Sequence, residues 1–131
     1  MSGEPDINTL LRSMTPKLNG GDYVFCTIKN LADIDIQQTI SIFKEEEGWT
    51  VILAKDLANQ SGLSYSYVAA WITLTIHSSL EAVGLTAAFA NALAKEGISC
   101  NVVAAFYHDH IFVAKKDAEK AMEALKRLSE I

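Results

Sequence analysis

The 131-residue chain lacks the features that mark several common classes of protein. No window gathers lysine and arginine, and the net charge is −5, so nucleic acid and anionic membrane surfaces are poor partners. No apolar run approaches the roughly 20 residues that span a bilayer. The first ten residues have neither the basic segment nor the apolar run of a signal peptide. These absences predict a cytoplasmic protein with no nucleic-acid or membrane partner.

Cysteine and histidine are also scarce. Cys26 and Cys100 lie in strand-like runs without CxxC spacing, which favours two buried thiols over a disulfide. His108 and His110 could reach one ion from the same face of a strand, but a zinc site needs three or four protein ligands and His77 is the one remaining histidine. Asp109 between them is more simply a turn residue. We therefore predict no metal and no cofactor.

The chain contains no recognisable catalytic motif. No serine or cysteine has a histidine and a carboxylate at a known spacing, and neither a Walker glycine loop nor GxGxxG occurs. This predicts that the protein is not an enzyme. Half of the residues are hydrophobic, which indicates a folded chain with apolar surface to spare and favours a homodimer.

Hydrophobic periodicity divides the chain into two α+β halves. The front half predicts a helix from Ile7, a strand over Tyr23–Ile28 and a hairpin that turns at Gly48. The back half has the order β-α-β-β-α, with a strand from Tyr67 and a helix that begins at Gly84. This is a split βαββαβ fold without its last strand, which would lie at the sheet edge beside the first one. We expect the front half to cover that edge.

Longer patterns in the back half resemble the ACT domain. The segment "WITLTI…GLTAAFANALAKEGISCNVV", followed by "DHIFV" and an alanine-rich helix, is similar to the amino-acid-sensing ACT subfamily that includes the cytosolic arginine sensors. The front half, "INTLLRSMTPKLNGGDYVFCTI…ISIFKEEEGWTVILA", is similar to that of small bacterial two-ACT proteins. The resemblance implies a ferredoxin-like fold with two interlocked units and antiparallel sheets. We predict a reduced unit over residues 1–62 and a second unit over residues 63–131.

The resemblance also implies a regulatory module that binds a small amino acid, commonly at a domain or subunit interface. Gly84 opens a helix, so the first N–H groups of that helix would favour a carboxylate. Polar groups after Gly97 would suit the ammonium group. The predicted ligand-binding residues are Ser79, Gly84, Leu85, Thr86, Ile98, Ser99 and Asn101. The alternative is a structural protein–protein interaction module without a small-molecule ligand.

Overall fold

The computed structural model of the chain describes residues 7–75 and 84–130. The chain forms two compact units, one of Met1–Asn19 with Ala70–Ile131 and one of Gly20–Ala69. The helices and strands, in chain order, are α1 (Ile7–Ser13), β1 (Thr15–Leu18), β2 (Tyr23–Ile28), β3 (Ser41–Lys44), β4 (Trp49–Ala54), α2 (Lys55–Gln60), β5 (Val68–Thr75), α3 (Leu85–Ala94), β6 (Asn101–Ala104), β7 (Asp109–Ala114) and α4 (Ala118–Leu128).

The unit of Gly20–Ala69 has the strand order β3-β4-β2-β5, to which β5 contributes only its first two residues. Strand β2 pairs antiparallel with β4 over its whole length, from Tyr23 opposite Ala54 to Ile28 opposite Trp49. Two short 3₁₀ turns, Leu31–Asp33 and Ile36–Gln38, stand where a βαββαβ unit has its first helix. This unit therefore lacks one of the two long helices of a βαββαβ unit. Its buried core consists of Val24, Cys26, Ile28, Ile34, Val51, Leu53 and Ala58.

The other unit has the strand order β1-β5-β7-β6. Strand β1 pairs antiparallel with β5, from Thr15 opposite Thr75 to Leu18 opposite Ile72. It lies in the place of the missing last strand, so the expectation that the front half covers this edge is confirmed. The two units together confirm the ferredoxin-like architecture.

In the unit of Met1–Asn19 and Ala70–Ile131, helices α1, α3 and α4 contribute to the core together with the strands. Leu85, Phe89 and Leu93 are the buried residues of α3, and they recur every four positions, so that they share one face. The helix ends in a Schellman motif, because the Gly97 N–H donates to Ala94 O and the Ile98 N–H donates to Leu93 O, each at 3.0 Å. Gly97 has the positive φ, +73°, that this ending requires.

The boundary between the two predicted ACT-like units, which we placed between residues 62 and 63, stays a prediction. The compact units change at Asn19 and at Ala69, since the first strand of the chain belongs to the unit that contains Ala70–Ile131. Both cysteines are free thiols, as expected, but Cys26 is buried whereas Cys100 is only half-buried. Burial raises the pKa of each thiol, which favours the protonated, unreactive form.

Candidate functional site

The start of α3 has the backbone geometry that the sequence suggests for a carboxylate site. Gly84 is the N-cap residue and adopts the left-handed conformation, with φ +88° and ψ −11°. Its carbonyl accepts the first helical bond, from the Ala88 N–H at 3.0 Å. Among the described residues no side chain caps this end. Thr86 is exposed, whereas the Leu85 side chain is buried in the core, so Leu85 offers a ligand only its backbone.

The residues predicted for the opposite wall are already partly engaged. The Ile98 side chain is buried and its N–H belongs to the Schellman motif. The Asn101 side-chain amide donates to Phe112 O at 3.2 Å, across the β6–β7 pair. Ser99 is exposed. The polar side-chain groups that this wall can offer a ligand are thus the Ser99 hydroxyl and the side-chain oxygen Oδ1 of Asn101. Ser79, His77 and Glu81 lie outside the described residues.

The two groups of predicted residues lie at opposite ends of one helix. Gly84, Leu85 and Thr86 are at its start, while Ile98 and Ser99 follow its end. Ten helical residues at 1.5 Å each separate them by about 15 Å. One amino-acid head group cannot touch both ends, so a pocket that uses both groups needs one from each of two copies.

A polar cluster that the sequence did not indicate lies where β5 neighbours β7. The Trp71 indole N–H donates to Nδ1 of His110 at 3.0 Å, and the Thr73 hydroxyl lies 3.2 Å from the same nitrogen. Asn19 donates to Thr73 Oγ1 at 2.9 Å and to Trp71 O at 3.2 Å. Because an indole N–H can only donate, Nδ1 carries the lone pair and Nε2 carries the hydrogen of neutral His110.

Burial lowers the pKa of His110, and nearby His108 lowers it further, while Asp109 acts in the opposite direction. Burial raises the pKa of Asp109, and His110 and His108 partly offset this rise. The lowered pKa favours the neutral form of His110, on whose unprotonated Nδ1 the hydrogen bonds of the cluster depend.

We expect the free energy of unfolding to fall as the pH drops below about 6.5, the ordinary pKa of histidine. In that range His110 of the unfolded chain binds a proton while folded His110, with its lowered pKa, does not, so acid favours unfolding. Urea unfolding between about pH 7.5 and 5.5 measures this loss. His110→Asn keeps an acceptor near the indole but does not titrate, so it should show a smaller loss. Equal losses in both proteins would contradict the role of His110.

His108, Asp109 and His110 do not form a metal centre with other described side chains. Over residues 7–75 and 84–130, no group of three or more histidine, cysteine or acidic residues could hold an ion.

Within the same ranges, every helix is too short or too polar to cross a bilayer.

The architecture defines a class: two ferredoxin-like units, of which one begins its long helix at an open glycine. Two family models described as ACT domain match the chain, one over residues 2–70 and one over residues 66–127. The chain belongs to the ACT domain family, and it is a tandem ACT protein. No curated protein matches it.

Solved structures share this architecture. A Vibrio cholerae protein of unknown function, described as a possible transport protein, is 51% identical, with a TM-score of 0.86 over 94% of this chain and 95% of that one. An Agrobacterium tumefaciens protein is 20% identical, with a TM-score of 0.67 over 88% and 89% of the two chains. The ligand-free regulatory subunit of Thermus thermophilus aspartate kinase is 12% identical, with a TM-score of 0.60 over 88% and 95%. The last two likenesses concern the fold alone.

Proposed function

We propose that this protein is a non-catalytic, cytoplasmic regulatory module that binds a small amino acid as a homodimer. Its membership of the ACT family, whose domains are regulatory modules, supports the general role. The ligand carboxylate would bind the N–H groups of Leu85, Thr86 and Ala87 in one copy. Ser99 and Asn101 of the other copy would bind the ammonium group. Ser79 and Ile98 complete the predicted site, Ile98 through packing beneath it.

One observation carries this proposal: Gly84 begins a ten-residue helix in a left-handed conformation, with exposed backbone and no side-chain cap among the described residues. Amides at such a helix start carry partial positive charge and suit a carboxylate. A Cβ atom at position 84 would make only an ordinary contact, 3.8 Å from Cδ1 of Ile7, and a polar side chain built on it would compete with a ligand for these amides. The carboxylate would thus find donors that no side chain of the described residues occupies.

The test is the melting temperature of pure protein with each of the twenty amino acids in turn. A ligand that binds only the folded state raises the free energy of unfolding by RT ln(1 + [L]/Kd), about 2.7 kcal/mol at 100 times Kd. We expect one amino acid, or a few similar ones, to raise the melting temperature by several degrees at millimolar concentration. A flat panel would instead favour the alternative, an interaction module without a small-molecule ligand.

A glycine substitution locates the site. Asparagine tolerates the left-handed conformation better than other residues, so Gly84→Asn should fold but should lose most of the shift caused by the amino acid that binds. The matched control is Gly62→Asn, because Gly62 has a similar φ of +68° and open space around it, but lies after α2. If Gly84→Asn and Gly62→Asn respond alike, the ligand does not bind at the start of α3.

A further inference from the structure

Trp71 and His110 lie on the face of their sheet that is opposite to α1, α3 and α4. The side chains of β5 and β7 that pack with these helices in the core are Ala70, Ile72, Leu74, Ile111 and Val113. Successive side chains of a strand point to opposite faces of a sheet, so the second face carries Trp71, Thr73, His110 and Phe112. The hydrogen-bonded cluster therefore belongs to this second face.

The Trp71 ring lies against the ring of Phe112. Their centroids are 6.2 Å apart, and their planes are inclined by 18°. Phe112 is only 1% exposed, whereas Trp71 is half-buried. The indole is thus part of the cover of Phe112, and its N–H fixes its position by the bond to Nδ1 of His110.

The two donors to Nδ1 of His110 differ in what they can do when this nitrogen binds a proton. Thr73 Oγ1 lies 3.2 Å from Nδ1 and accepts from Asn19, so its own hydrogen is donated to neutral His110. Because a hydroxyl oxygen has two lone pairs, Thr73 can turn its hydrogen away and accept from a protonated Nδ1. The Trp71 indole can only donate, so its hydrogen would meet the new one. A proton on Nδ1 therefore keeps the contact with Thr73 and expels Trp71.

The charged groups near His110 do not replace the lost bond. Asp109 favours the proton, but it is the neighbouring residue of β7, so its side chain points to the opposite face. Lys17 of β1 pairs with Thr73 and is exposed on the same face as His110, where its charge has the same sign as the added proton. His108 opposes the proton as well. Strands β5 and β6 contain no ionisable side chain.

Binding of the proton and movement of the indole favour each other. Burial is the largest cause of the lowered pKa of His110. An indole that moves away lets water reach the imidazole, which removes part of this cause. The proton thus stabilises the displaced indole, and the displaced indole stabilises the proton.

We infer that Trp71 and His110 form a proton-operated latch: a proton on Nδ1 of His110 releases the indole and uncovers Phe112 while the chain stays folded. The inference depends on neither the ligand nor the homodimer of the proposed function. It also differs from the loss of stability expected above, because the release of the indole is a local change within the native protein.

Proton NMR between about pH 7.5 and 5 tests the latch, with Trp49→Phe to assign the two indole N–H signals. We expect the Trp71 signal to shift in one step, with the midpoint of the His110 ring signals and below about pH 6.5, while the backbone signals stay dispersed. His108→Asn should keep this step. His110→Asn accepts a hydrogen bond but does not titrate, so it should lose the step. A Trp71 signal that stays in place while the His110 ring titrates overturns the latch, and so does a step that coincides with unfolding.

Trp71→Phe tests the same coupling from the other side. Phenylalanine still packs against Phe112 but cannot donate to Nδ1, so the neutral form of His110 loses one hydrogen bond. We expect the pKa of His110 to rise from its lowered value toward the ordinary value of about 6.5. The matched control is Trp49→Phe, the same chemical change on β4, which should leave this pKa unchanged. If the pKa of His110 is the same in both variants, the indole does not hold the imidazole in its neutral form and no latch exists.

Discussion

Phe89→Ala is expected to reduce the free energy of unfolding by about 3–5 kcal/mol, the usual cost of emptying a buried phenylalanine site. Phe89 lies in the middle of α3 and is completely buried in the core of its unit. Its removal loses the transfer free energy of the ring and leaves a cavity that the surrounding side chains of β5, β7 and α4 can fill only in part. Guanidinium unfolding at one fixed protein concentration measures the change.

Phe43→Ala is the matched control for Phe89→Ala. The chemical change is the same, but Phe43 lies on strand β3 and is 69% exposed. Its removal should change the free energy of unfolding by no more than about 0.5 kcal/mol. If the two substitutions cost similar amounts, the core of the unit is not organised around α3 as described.

Gly48→Ala should be the next most damaging change, with a loss of about 1–3 kcal/mol. Gly48 has φ +155°, and a Cβ atom there would lie 2.9 Å from Ile28 O and 3.1 Å from Thr27 Oγ1. The carbonyl belongs to the backbone of β2, which is held in register by β4, so it cannot easily move away. Urea unfolding of the variant measures the loss.

Gly20→Ala separates this contact from the general effect of replacing glycine. A Cβ atom at Gly20 meets nothing within 4 Å, and its φ is not positive. Its substitution should be neutral, or stabilising by a few tenths of a kcal/mol, because alanine has less freedom in the unfolded chain. An equal loss in Gly20→Ala and Gly48→Ala would mean that the contact with β2 is unimportant.

The sequence predicts those elements whose signals are local. The spacing of Leu85, Phe89 and Leu93 and the position of Gly97 are enough to place α3 and its ending. Strand β1 has no such signal, because Pro16 and Lys17 are typical of loops. It is a strand because β5 offers it an edge, and that partner lies about 60 residues away. Hydrophobic periodicity could not predict the 3₁₀ turns after β2 either, because each is only three residues long.

The candidate site, too, has parts that local sequence predicts and parts that it does not. Gly84 is identifiable as a helix start from local sequence, and its left-handed conformation agrees with that choice. Ser99 and Asn101 follow the same helix, and the pattern does not reveal that the helix length separates them from Gly84. The pairing of Trp71 with His110 joins residues 39 positions apart through neighbouring strands, so no motif could have indicated it.

The placement of β1 has a consequence for biosynthesis. Thr75, whose hydroxyl donates to the Thr15 carbonyl at 2.6 Å, is translated 60 residues after Thr15. At about 5–20 residues per second, the nascent strand waits for several seconds before its partner exists. Pro16 lacks a donor and Lys17 is charged, two devices that discourage adhesion to a foreign sheet. The residues that conceal this strand from sequence patterns thus also make it a poor partner for a foreign sheet edge.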